Sequence, residues 1–130
     1  MTASSLTFRP RHRLSHARQF AAVYARKCRA ARGPLVVFAA RNELAHPRLG
    51  LAVGRRVGSA VVRNRFKRLV RESFRNLQHE FPTIGGTSVD LIVSVNPHEP
   101  LGQAEYQRML SELVVRLVPC LSRPARGATP

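Results

Sequence analysis

Arg63, Lys67 and Arg71 stand four residues apart, Arg63-Asn64-Arg65 and Lys67-Arg68 fill the spaces, and one acid, Glu72, interrupts "VVRNRFKRLVRESFR". Side chains of these types bind rather than react. An arginine fork meets two phosphate oxygens at once, and lysine acts as a compact point charge. In the same stretch Val62, Phe66, Leu69, Val70, Ser73 and Leu77 recur at helical spacing, so the charge lies on one side of a helix whose other side is buried. Like charges one turn apart weaken a helix. A face that meets only water mixes its signs. This one barely does, so the pattern predicts a polyanionic partner.

The charge is uneven along the chain. Residues 1–76 hold 18 Lys or Arg against two acids, and residues 77–130 hold four against five, within a formal net charge of +15 over 130 residues. A field of that sign gathers nucleic acid or an anionic membrane surface. The apolar arc is needed for the core and no large aromatic is left over, which disfavours the membrane. No apolar run approaches spanning length. Twenty of the 22 basic residues are arginine, which suits phosphate and base contacts but also fits a biased codon usage. The Arg-rich, acid-free segment 9–18 has a weak transit-peptide character that continues into the folded region. Cys28 and Cys120 stand far apart as lone cysteines, which fits a reducing, cytoplasmic setting.

Other chemistry is missing. There is no nucleophile elbow, P-loop or zinc signature, and the seven acids are scattered, whereas a protein nuclease clusters carboxylates to hold its metals. His12 and His16 are four apart but lack further ligands for a metal. The residues therefore point to RNA binding without cleavage, and no cofactor or small-molecule substrate is expected. RNA is favoured over DNA by the sheet architecture and by Phe20, Tyr24 and Phe38, which either stack on bases or pack in the core.

These residues need elements to position them. Residues 1–14 read as a flexible basic arm, 15–119 as one domain and 120–130 as a tail. Ser15 is a plausible cap for a helix reaching about Ala31, broken by Gly33-Pro34. "LVVFAA" and "RLGLAV" read as strands forming a hairpin, with a further short strand near 53–57. Ser59 caps the basic helix, which runs to about His79. "VDLIVSV" alternates as a strand, and Tyr106, Met109, Leu110, Leu113, Val114 and Leu117 mark a last helix ended by Pro119. The fold class is α+β, a sheet backed by helices.

The stretch "GRRVGSAVVRNRFKRLVRESFR" resembles the signature of the bacterial ribonuclease P protein component. Gly54, Arg55, Arg56 and Gly58 match the glycine-flanked bases, and Arg63, Asn64, Arg65, Lys67, Arg68 and Arg71 match the family's Arg-Asn-Arg helix. "RLSHARQFAAVY" is similar to the family's opening helix at Arg13, Leu14, Phe20, Val23 and Tyr24. Tyr24 stands where phenylalanine is common, and Gln19 where an acid is. The resemblance implies a single-domain α-β-β-β-α-β-α sandwich with a left-handed βαβ crossover. It also implies a protein subunit whose RNA partner carries the active site and its Mg2+, and which helps remove the 5′ leader from precursor tRNA. On that basis the basic helix with Arg55 and Arg56 faces the RNA subunit, and Phe20, Tyr24 and Phe38 line a leader cleft. The alternative is a ribosomal or other structural RNA-binding protein with no processing role.

Overall fold

The computed structural model describes residues 10–123. Its elements are α1 (Ala17–Arg26), β1 (Cys28–Arg32), β2 (Leu35–Arg41), β3 (Arg48–Ala52), α2 (Ala60–Leu77), β4 (Val89–Val95) and α3 (Gln103–Ser122), with short 3-10 turns at Pro10–His12 and Arg55–Val57. This is the expected α-β-β-β-α-β-α order, but one strand lies elsewhere. The segment near 53–57 is a 3-10 turn, and the extra strand is β1, in a stretch expected to be helix.

The misplacement has a local cause. Cys28 follows Tyr24 at helical spacing, so apolar periodicity runs on past the point where the helix stops. Lys27 ends α1 in the left-handed region, φ 62°, and its N–H bonds the Tyr24 carbonyl at 3.1 Å. A non-glycine residue there costs about 1–2 kcal/mol, and it leaves no signal in composition. At the other end the cap is His16 rather than Ser15. The Gln19 side-chain oxygen accepts from the His16 backbone N–H at 3.1 Å, the reciprocal half of a capping box. Gly33-Pro34 is the tight turn of the β1–β2 hairpin, with Gly33 at φ 56°.

The sheet runs β1-β2-β4-β3. The expected hairpin between 35–40 and 48–53 does not form, because β4 lies between them, antiparallel to β2 and parallel to β3. The reason is burial. Val89, Leu91, Ile92 and Val93 are all inaccessible and Asp90 on the second face is buried too, so β4 is covered on both faces and takes a central place. Parallel neighbours need a crossover, and α2 supplies it between β3 and β4.

Two apolar clusters sit on the two sheet faces. Leu35, Val37, Leu91 and Val93 pack against Phe66, Val70 and Phe74 of α2 and against Tyr106, Leu110 and Leu113 of α3. Leu14, Val23, Ala40 and Ile92, with Phe20, Phe38 and Ala52, form the smaller cluster beneath α1. Residues 10–14 of the expected arm belong to this fold: Leu14 is buried, and its N–H bonds the Leu49 carbonyl at 3.0 Å. Residues 1–9 and 124–130 lie outside the described residues.

Two further expectations are corrected. Pro119 lies inside α3, which loses one backbone bond there but continues to Ser122, burying Leu121. Cys28 and Cys120 are not lone cysteines. They form a disulfide across 92 residues, with Cα atoms 5.9 Å apart. Separation in sequence concealed it, since the bond needs β1 paired beside α3.

Candidate nucleic-acid interface

The sequence places α2 amphipathically and the structure uses it so. Ser59 Oγ accepts from the Val62 N–H at 3.4 Å, capping the helix as expected. Phe66, Val70, Ser73, Phe74 and Leu77 point inward, and the buried Ser73 hydroxyl donates to the Leu69 carbonyl at 2.9 Å. The buried arc differs slightly from the expected one. Val62 is largely exposed, Leu69 is half-buried, and Phe74 joins the core.

The opposite side carries the charge. Arg55, Arg56, Asn64 and Arg68 are exposed, and Arg63, Arg65, Lys67 and Arg71 are half-buried. Two of these are held by backbone: Arg63 Nε donates to the Gly58 carbonyl and Arg65 Nη2 to the Leu101 carbonyl, both at 3.1 Å. Glu72 is spent on Arg75 of the same helix, whose hydrogen bond holds the Glu72 carboxyl below its ordinary range. No carboxylate is ion-paired to any of the other cations of α2 among the described residues.

Lys67 and Arg71 line a cavity of about 180 Å³ together with Arg13, Leu14, Phe20, Leu49, Gly50 and Leu51. Burial, and then the charge of Arg13, lower the Arg71 pKa from its usual value. Three cations therefore converge beside one aromatic ring.

That ring begins a second surface, on the sheet face beneath α1. Phe20 lies so close over Gly50 that a Cβ there would sit 2.7 Å from the ring's Cζ. Tyr24, 40% exposed, meets the Phe38 ring edge-on at 4.9 Å between centroids. Phe20 and Phe38 are half-buried, so each both packs on the small cluster and shows a surface. Alongside them Val36, Ser94 and Ala52 stand in one register row, giving a shallow floor of small side chains. Aromatics over such a floor can stack unpaired bases.

Sequence reasoning missed Arg13, Arg29 and Gly50 here. Arg13 belongs to the quoted opening segment but reads as part of a free arm, and Gly50 looks like any strand glycine until Phe20 is placed. Arg29 becomes visible only through its pairing with Phe38. His12 and His16 do not share a helix face. His12 is buried in the 3-10 turn with its ring 5.3 Å from that of His46, and His16 is the exposed cap of α1. No group of three His, Cys, Asp or Glu placed to hold a metal occurs among the described residues.

The family described as Ribonuclease P matches residues 8–118. The chain belongs to the bacterial ribonuclease P protein family. The ribonuclease P protein component of Aliivibrio fischeri is 39% identical over 106 residues, covering 81% of this chain and 84% of its own. That of Methylococcus capsulatus is 51% identical over 74 residues, 56% of this chain and 58% of its own. Solved ribonuclease P proteins share the fold. The Thermotoga maritima protein superposes with a TM-score of 0.69 at 28% identity over 80% of this chain and 96% of its own. The Staphylococcus aureus protein gives 0.66 at 28% over 85% and 97%. As a ribonuclease P protein, the chain is the non-catalytic subunit of a ribonucleoprotein in which RNA catalyses processing of the tRNA 5′ leader. This displaces the ribosomal alternative. No described helix is long and apolar enough to cross a membrane.

Proposed function

We propose that the two surfaces divide the labour of this subunit. The α2 face, with Arg55, Arg56, Arg63, Asn64, Arg65, Lys67, Arg68 and Arg71, docks on the ribonuclease P RNA. The cleft of Phe20, Tyr24 and Phe38 takes the single-stranded leader of precursor tRNA. The observation that carries this reading is the cavity where Lys67 and Arg71 of one surface meet Phe20 of the other. A strand leaving the RNA subunit at α2 enters the cleft there without a gap.

The chemistry follows from electrostatics. Catalytic RNA and precursor repel one another, and the cationic face screens that repulsion while counterions are released from the phosphates it meets. Leader contacts add binding that mature tRNA lacks, so they favour substrate over product without touching the reacting bond. Mg2+ bound by the RNA subunit supplies the charge stabilisation and activated water of phosphodiester hydrolysis. The chain's own residues bind and orient. They reduce how much Mg2+ is needed to hold the two RNAs together.

The test is cleavage of precursor tRNA at low Mg2+ by the host's RNA subunit with and without this chain. Processing at the mature 5′ end only when both are present is the expected result. Tight RNA binding with no rescue of cleavage would remove the proposed role.

A further inference from the structure

Arg29 lies on β1, at one edge of the sheet, and its register partner is Phe38. Phe38 faces Ile92, which faces Gly50, so one row crosses the sheet from Arg29 to the glycine beneath Phe20. The Arg29 guanidinium carbon stands 5.6 Å from the Phe38 ring centroid, within the roughly 6 Å reach of a cation–π contact. Tyr24 meets the same ring by its edge.

Three cations near Arg29 are engaged in holding the fold. Arg32 pairs with Glu112 at 2.5 Å. Arg26 donates to the carbonyls of Cys120 and Arg123 at 2.8 and 2.6 Å, and Arg116 to that of Ala31 at 3.0 Å. Arg29 is exposed and has no carboxylate partner among the described residues. The strand that bears it is fixed from both sides, by the ladder with β2 and by the disulfide at Cys28. A charge is thus held in place at the end of a stacking surface.

We propose that Arg29 binds a phosphate of the single-stranded leader while the adjoining base lies on the Tyr24–Phe38 surface. This rests on the leader cleft proposed above and extends it to a residue at its far end. Three strand spacings of about 4.8 Å separate β3 from β1. The row is therefore about 14 Å long. A leader entering beside Lys67 and Arg71 reaches Arg29 last, so the contact serves leaders that span the row and not shorter ones.

The test uses the complex of RNA subunit and full-length protein, and equilibrium binding of precursors carrying one neutral methylphosphonate linkage moved along the leader. In the wild type one distal linkage weakens binding about three- to tenfold, the size of an ordinary net hydrogen-bond contribution at an exposed site. With Arg29→Gln the same linkage costs nothing further, whereas Arg29→Lys keeps the dependence. Leaders of half the row length show no effect of Arg29→Gln. The proposal is overturned if every linkage costs the same in wild type and Arg29→Gln while Phe20→Ala still abolishes leader preference; the cleft then stands without Arg29. Equal weakening of leaderless precursor by Arg29→Gln overturns it too, since that is a fold effect. A wild-type complex indifferent to the leader would remove the cleft reading and this one with it.

Discussion

Arg63 and Arg68 share the outer side of α2 but differ in what holds them. Arg63 is half-buried and bonded to the Gly58 carbonyl, whereas Arg68 is exposed. Alanine at either position should weaken binding to the RNA subunit and flatten the log–log salt dependence by about 0.7 to 0.9 for each phosphate no longer neutralised. A titration at several salt concentrations reads it, and unchanged slopes in both variants would take the helix out of the interface. His46 sets a pH limit on the same fold. Burial lowers its pKa, the charges of Arg11 and Arg48 lower it further, and Asp90 opposes them. The unfolded chain therefore takes up this proton first as pH falls. Stability should be full above about pH 6.5, decline below it, and level off beneath the folded-state pKa. His46→Gln should make that decline shallower in denaturant titrations between about pH 7 and pH 5. An equally steep decline would assign it to other groups.

At the scale of elements, Gly50 on β3 is the point where the sheet yields to α1. Its outer side is occupied by the Phe20 ring, so Gly50→Ala must displace that ring. Affinity for leader-bearing precursor should fall, with binding to the RNA subunit preserved. If both fall together, the damage is to the fold rather than the cleft. Much of this level was legible in the chain. The 3.6 periodicity of α2, its Ser59 cap and the span of β4 are local patterns, and each was found where the sequence placed it. The basic side of the site followed directly from α2. What escaped depended on contacts between distant segments. The left-handed Lys27 that ends α1 carries no compositional mark, and β4 entered between β2 and β3 because it is buried on both faces. Arg29 and Gly50 join the cleft only once strand register is known.

For the whole molecule, the Cys28–Cys120 bond ties the edge strand to the end of α3 and closes most of the chain into one loop. By loop entropy such a closure is worth about 4 to 5 kcal/mol, and removal of native bridges typically costs about 2–5 kcal/mol. Reduction, or Cys120→Ser, should lower the denaturant midpoint accordingly, and thiol titration of the unreduced native protein should find none free. Two reactive thiols in that protein would contradict the pairing. The larger design is the separation of charge from scaffold: residues 1–76 hold 18 of the 22 cations, and residues 77–130 supply β4 and α3. On the proposed division of labour, that arrangement turns a cationic face to one RNA and an aromatic cleft to another. The most direct test compares the affinity of the assembled ribonucleoprotein for precursor tRNA with and without its leader, using wild type and Phe20→Ala. The leader-bearing form should bind more tightly, and that preference should be lost in Phe20→Ala while assembly with the RNA subunit is unchanged. Equal affinity for both forms in the wild type, with the RNA subunit bound, would contradict it.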